Sequence, residues 1–257
     1  MKLYVMQCGV LYSDKGFFVA GYSGTKFNVP VPYFLIEHEK GWVLFDSGHN
    51  KNTVQDPTTL SKIIYDAYHP ADFGDGYVLK ALEKAGVKPQ DIVYHVCSHL
   101  HFDHAGGIGL FPNATYVLQK QELHYAYVPD PFMKLAYLRE DFDKDVNWLL
   151  LDGWNDNKYD LFGDGKLVIY YTPGHTPGHQ SLLVNLDDSP PMLLAADACY
   201  TVENLEEMKL SGLSCDNSAY IQTLKTFKDM QKRGIKIVTG HDPDAWNGMK
   251  KFPEFYK

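Results

Sequence analysis

Short apolar runs closed by turn residues alternate along this chain with stretches of helical period. Residues 2–7, 31–37 and 42–46 read as strands, the last two joined as a hairpin around Glu39-Lys40-Gly41. Residues 92–97 form a β-branched, apolar run that reads as a buried strand, and residues 166–172, 192–196 and 235–239 read the same way. Residues 77–85 place Val78, Leu79, Leu82 and Ala85 at helical spacing, with Gly86 as a stop and Pro89 just beyond. Shorter helices are predicted over 122–127 and 131–140, and hairpin turns around 163–165 and 187–191. The clearest helix spans 218–232, with Ile221, Leu224, Phe227 and Met230 on one face, a stripe that suits core packing rather than a cofactor. The segment 65–76 fits no pattern. No repeat, low-complexity tract or linker interrupts the order, so one α/β domain over residues 1–257 is expected.

Composition narrows the partners. Hydrophobic residues make up 45% of the 257, as in globular proteins, and no run approaches the eighteen apolar residues of a membrane span. The formal net charge is −8 without a lysine or arginine cluster, a surface that repels nucleic acid. Gln7 and Gly9 interrupt the first apolar run too early for a signal peptide, which points to the cytoplasm. Cys8, Cys97, Cys199 and Cys215 are scattered without a C-x-x-C pair and read as free thiols of a reducing compartment. No feature separates a monomer from a homodimer.

The chemistry concentrates at Ser98-His99-Leu100-His101-Phe102-Asp103-His104, a His-x-His-x-Asp-His pattern. A core cannot satisfy three imidazoles and a carboxylate at this density, whereas a divalent metal can. Neither helical nor strand spacing puts all four on one side, so the run reads as a loop that opens a helix. The predicted strands downstream end the same way. The run 166–172 leads into Pro173-Gly174-His175, 192–196 into Asp197, and 235–239 into Gly240-His241. Loops at strand ends are where α/β proteins place their chemistry. Five histidines and two aspartates exceed one tetrahedral ion and suit two ions sharing a carboxylate and a hydroxide.

With these motifs the chain resembles the metallo-β-lactamase superfamily. The matching phrases are residues 98–104, Thr172-Pro173-Gly174-His175-Thr176-Pro177-Gly178-His179, Ala196-Asp197, Gly240-His241 and the early Phe45-Asp46-Ser47-Gly48. The resemblance implies a four-layer αβ/βα sandwich with two divalent metals at one edge between the sheets. It implies His99, His101 and His175 on one ion, Asp103, His104 and His241 on the other, and Asp197 bridging both. Asp46 and His179 are implied as supports that orient ligands. Zinc is the first expectation for the metal, with iron, manganese and cobalt as alternatives.

Within the superfamily the chain is most similar to the N-acyl homoserine lactone lactonases, through residues 98–107, 172–182 and Asp197-Ala198-Cys199-Tyr200-Thr201. That likeness implies a small-molecule lactone substrate, Tyr200 against the lactone carbonyl, and Asp103 as a ligand that can also carry a proton. Phe102 is expected at the substrate, and Phe17, Phe18, Tyr65 and Tyr68 are aromatic candidates for an apolar pocket, though each also suits the core. Three rival enzymes share the superfamily. A thioesterase of the hydroxyacylglutathione hydrolase type would need a helical region after His241, where the chain is short. A β-lactamase with this motif would not need Asp197 as a bridge and is normally exported. A flavodiiron oxidoreductase would want Glu in place of His101. A metal-binding regulatory protein is the non-enzyme alternative, disfavoured because seven ligands leave two ions open to water and substrate.

Overall fold

The computed structural model describes residues 1–56, 58–71 and 74–257, so that Pro57 and, in the 65–76 segment, Asp72 and Phe73 lie outside the described residues. One sheet is built from β1 (Lys2–Asp14), β2 (Lys26–His38), β3 (Gly41–Phe45), β4 (Pro70–Ala71), β5 (Ile92–Val96), β6 (Thr115–Gln119) and β7 (Trp148–Leu151), in the order β4-β1-β2-β3-β5-β6-β7. The other contains β8 (Lys158–Asp160), β9 (Leu167–Tyr171), β10 (Gln180–Val184), β11 (Met192–Ala196) and β12 (Lys236–Thr239), in the order β12-β11-β10-β9-β8. The helices are α1 (Asn52–Gln55), α2 (Lys62–Tyr68), α3 (Val78–Lys84), α4 (Lys120–Tyr127), α5 (Arg139–Phe142), α6 (Val202–Glu207), α7 (Asn217–Lys232) and α8 (Pro243–Asn247).

Strand alternation produces the layers. Phe34 and Ile36 of β2 and Val43 and Phe45 of β3 point into a core shared with Leu182 and Val184 of β10 and Leu194 of β11. Their neighbours Tyr33, Leu35 and Leu44 point the other way, onto Val78 and Leu82 of α3. Leu183, Leu193 and Ala195 leave the second sheet on its far side and meet Leu224, Phe227 and Met230 of α7. Three apolar interfaces separate four layers, helix–sheet–sheet–helix. No helix among the described residues is long and apolar enough to cross a membrane.

Several sequence expectations change. Residues 98–110 form successive turns rather than opening a helix. Their amides are used elsewhere: Phe102 N donates to Ala136 O at 2.9 Å, Gly106 N to Gly48 O at 2.8 Å, and Gly107 N to Ser47 Oγ at 2.8 Å. A Cβ on Gly106 would lie 2.0 Å from Asn50 N, so only glycine permits this approach. Residues 131–140 likewise break into a 3-10 turn, Lys134–Ala136, and α5, because the Ala136 carbonyl is turned toward Phe102. β4, β6 and β7 were not anticipated, and β8 was implied only as one arm of the hairpin at 163–165; β7 and β8 are short edge strands with exposed apolar residues such as Leu150 and Tyr159.

The topology gathers strand ends. β3, β5 and β6 run parallel. β9 and β11 are both antiparallel to β10, and β12 is parallel to β11, so β9, β11 and β12 share a direction. The residues after β3, β5, β9, β11 and β12 therefore emerge on one edge.

Beneath that edge Gln180 fastens one sheet to the other. Its Nε2 donates to Cys97 O at 2.8 Å and Val117 O at 3.1 Å, and its Oε1 accepts from Gln119 Nε2 at 2.9 Å. The side chain is fully buried. Gln180→Leu removes the partner of a buried carbonyl and a buried amide, each costing about 1–3 kcal/mol. We expect a urea titration to show about 2–4 kcal/mol lost from the unfolding free energy; a loss within error would mean that the sheets are held by the apolar core alone.

Candidate metal centre

Four of the five strand ends deliver the residues predicted from sequence as ligands. β5 runs into His99, β9 toward His175, β11 into Asp197 and β12 toward His241. All seven residues are buried, none more than 6% exposed. They divide into two groups of converging ligand atoms, His99, His101, His175 and Asp197 in one and Asp103, His104 and His241 in the other.

In the first group His175 Nε2 lies 3.2 Å from His99 Nε2 and 3.0 Å from His101 Nδ1. Asp197 Oδ2 is 3.5 Å from His99 Nε2 and 3.3 Å from His175 Nε2. In the second, His104 and His241 present Nε2 to Asp197 Oδ1, each at 3.2 Å, and to Asp103 Oδ2 at 3.7 and 3.5 Å. Asp197 thus gives one oxygen to each group. Metal–nitrogen bonds of about 2.0–2.1 Å give tetrahedral edges of about 3.3 Å, close to these separations.

The outer ring nitrogens decide which lone pairs face inward. His241 Nδ1 meets the carbonyl of Pro30 at 2.7 Å, and His175 Nδ1 meets that of Leu213 at 3.2 Å. A carbonyl only accepts, so both Nδ1 atoms carry protons and both Nε2 atoms are the ones that face the centre. His104 Nδ1 lies 2.9 Å from Asp46 Oδ2 and is fixed in the same sense. Ser98 donates its hydroxyl to Asp46 Oδ2 at 2.8 Å, which leaves Ser98 Oγ to accept from His99 Nδ1 at 3.0 Å. Asp46 also accepts the Ser98 amide at 2.6 Å, so one carboxylate orients a histidine of each group. Converging imidazole lone pairs and carboxylates repel one another without a cation, and the donor set fits two divalent ions.

His179, the other sequence-predicted support, is buried with Nδ1 2.9 Å from Thr172 Oγ1. Its ring centroid is 5.3 Å from that of His99 and it belongs to neither ligand group.

Charge differs between the groups. Burial lowers the pKa of His99 and His101 well below the ordinary value and that of His175 to about 4, with neighbouring imidazoles adding to the effect. These three are neutral at physiological pH. Burial also disfavours the charged forms of His104 and His241, but Asp197 and Asp103 outweigh it and raise both. Asp197 itself, despite burial, is held well below the carboxylate range by His104 and His241. Burial pushes Asp103 upward.

The centre forms the floor of a cavity of about 170 Å³. Phe18, Tyr68, Phe102 and Tyr200 wall it, and Ile63 and Phe132, both largely exposed, stand at its mouth. Of the aromatics singled out in sequence, Phe17, Phe18, Tyr68 and Phe102 line this cavity and Tyr65 does not. Ile63, Ile64, Phe132, Leu135 and Leu213 were missed. The Tyr200 hydroxyl lies 3.1 Å from His175 Nδ1. That nitrogen carries a proton, so the tyrosine oxygen accepts there and its own proton is free for the cavity. Burial raises the Tyr200 pKa well above the ordinary value and keeps the phenol protonated.

The profile of the metallo-beta-lactamase superfamily matches residues 28–241. The chain belongs to this superfamily. An N-acyl homoserine lactonase AttM of Rhizobium radiobacter is 42% identical, over 100% of this chain and 98% of its own. An N-acyl homoserine lactonase of Bacillus cereus is 33% identical, over 99% and 98%. A solved N-acyl homoserine lactone hydrolase, with the product N-hexanoyl-L-homoserine at its catalytic metal centre, superposes with a TM-score of 0.88 at 30% identity, covering 99% of this chain and 98% of that one. The superfamily fold is thus matched over nearly the full length.

The unequal charge of the two groups has a measurable consequence. An ion entering at His104 and His241 must displace protons held there by Asp197 and Asp103, and falling pH makes that harder. An ion entering at His99, His101 and His175 meets no such competition until the pH nears the depressed values, about 4 for His175. Chelator competition with zinc at pH 8 and pH 6 should therefore show the affinity of one ion falling much more steeply than that of the other; parallel slopes would contradict the assignment.

Proposed function

We propose that this protein is a metal-dependent hydrolase that opens the lactone ring of N-acyl homoserine lactones. The observation that carries the reading is the full-length similarity to named lactonases, joined to a two-group ligand floor under an apolar cavity into which Tyr200 presents a free hydroxyl proton. His99, His101 and His175 would hold one divalent ion and Asp103, His104 and His241 a second, with Asp197 offering one oxygen to each group. Zinc is the first choice and iron, manganese and cobalt the alternatives. When bound, the ions supply a hydroxide nucleophile at neutral pH and positive charge for a carbonyl oxygen.

The remaining work belongs to the protein. The Tyr200 phenol, protonated and anchored against His175, donates to the lactone carbonyl as negative charge develops there. Asp103 holds an oxygen toward His104 and His241 while lining the cavity, so it can accept a proton from the attacking side and return it to the ring oxygen as the ester bond breaks. Phe102, Phe18 and Tyr68 exclude water from the reacting centre and cover the apolar acyl portion. Asp46 and His179 support the ligand loops from behind. The four cysteines are all free, which supports the reducing cytoplasm as the site of action.

The deciding experiment is a proton-release assay of metal-loaded protein on a short-chain and a long-chain homoserine lactone, with a simple thioester beside them. Faster turnover of the thioester would move the assignment to the hydroxyacylglutathione hydrolase type. In the same assay Tyr200→Phe should retain both metals and slow turnover by about 10²–10³-fold. An unchanged rate would leave carbonyl polarisation to the metals alone.

A further inference from the structure

Glu122 is fully buried at the start of α4 and has no part in the ligand set. Its Oε1 accepts the amide of Leu100 at 3.1 Å and the Tyr137 hydroxyl at 2.9 Å. Its Oε2 accepts the Thr176 hydroxyl at 2.6 Å, and the amide of Gly178 also donates to the carboxylate. Leu100 lies between His99 and His101, whereas Thr176 and Gly178 flank the turn that follows His175. Tyr137 packs its ring against His101, with centroids 4.5 Å apart.

One carboxylate therefore holds both loops that feed the first ligand group. Burying such a charge is costly, and four donors filling its lone pairs are what make it tolerable. The contact is also tight, because a Cβ on Gly178 would come within 2.1 Å of Glu122 N. A purely architectural contact would be filled more cheaply by an apolar side chain. Glu122 makes no hydrogen bond to Asp103, His104 or His241 themselves, and the stretch that carries Asp103 and His104 has its own anchors, Phe102 N on Ala136 O at 2.9 Å and Ser47 N on His104 O at 3.0 Å.

From this geometry we infer that Glu122 is a positioning residue for the ion held by His99, His101 and His175, clamping the two loops so that their nitrogens converge at bonding distance, and has no such role for the second ion. The inference rests on the two-metal reading above. Partners that orient ligands typically control metal affinity by about 10–100-fold.

The test separates the groups before touching Glu122. His241→Ala leaves the first group intact and His101→Ala leaves the second. In each background, zinc affinity is measured by competition with a chromophoric chelator, with and without Glu122→Gln. Glutamine keeps the shape but turns an NH2 toward N–H or O–H donors. The expected result is a loss of about 10–100-fold in the His241→Ala background and no change in the His101→Ala background. Thr176→Val and Tyr137→Phe, which each delete one donor and keep the carboxylate, should give smaller losses in the same background only; they serve if Glu122→Gln fails to fold. Equal losses in both backgrounds, or a lowered Tm with unchanged affinity in the first, would reduce Glu122 to a structural role and overturn the inference. If His241→Ala protein takes up no zinc with Glu122 present, the two-metal reading itself fails and the inference falls with it.

Discussion

Five imidazoles and two carboxylates drawn into one buried cleft repel or desolvate one another unless cations share the space, and much of the molecule is arranged around that constraint. Four of the five rings, all but His101, cannot turn away, because their outer nitrogens are already committed. His241 is held by a backbone carbonyl of β2, His175 by a carbonyl of the loop before α7, and His104 by Asp46. Backbone strain accompanies the arrangement. Asp46 and Ala196, at the ends of β3 and β11, adopt φ values of 56° and 45°, a region costly for residues with a Cβ. Strain of about 1–3 kcal/mol per residue persists only where surrounding contacts over-determine it. At Asp46 those contacts are visible: three hydrogen bonds to Ser98 and His104 fix the carboxylate, and the turn that results joins the two ligand groups.

The two groups solve the problem of buried charge differently. His99, His101 and His175 are kept neutral by burial, so their lone pairs stand ready and their charge balance comes from one oxygen of Asp197. His104 and His241 face two carboxylates and keep protons in the place of a cation. Without metal the first group is a set of unused lone pairs and the second a set of ion pairs. Asp197 belongs to both, which couples them: whatever pulls its Oδ2 toward the first group also adjusts Oδ1 against the second.

Much of this was legible in the sequence because metal chemistry leaves local marks. A His-x-His-x-Asp-His run at the end of an apolar strand, and single ligands at the ends of three others, needed only periodicity to be placed on one edge. The helix stripe of α7 and the hairpins at 163–165 and 187–191 were equally local. What escaped is what depends on partners distant in the chain. Gln180 fastens the sheets through carbonyls of Cys97 and Val117, and nothing in its neighbourhood announces that. The turns at 98–110 could not be told from a helix start, because the amides that cancel the helix are spent on Ala136, Gly48 and Ser47. β7 and β8 are too short and too exposed to carry a clear alternation. Glu122 did leave a faint signal, as it shares with Ala126 the buried side of α4, where an acidic residue has no business unless it is bonded.

The division between floor and walls bears on how one fold carries many reactions. The floor is made of strand-end residues whose positions are set by the sheets, by Asp46 and by Glu122, so it is rigid and general. The walls come from elsewhere: Phe18 from the loop after β1, Tyr68 from α2, Phe132 and Leu135 from the segment before α5, and Leu213 from the loop before α7. These segments can vary in sequence without disturbing the two ligand groups, and they set the shape of the cavity above them. Phe102 and Tyr200 are the exceptions. Each lies close to a candidate ligand in the chain, Phe102 between His101 and Asp103 and Tyr200 three residues after Asp197, so the sheets that fix the floor also fix these two side chains in the cavity wall. They are therefore the wall residues whose placement is tied to the floor, and the remaining walls are where proteins sharing this floor can differ in the shape of the cavity.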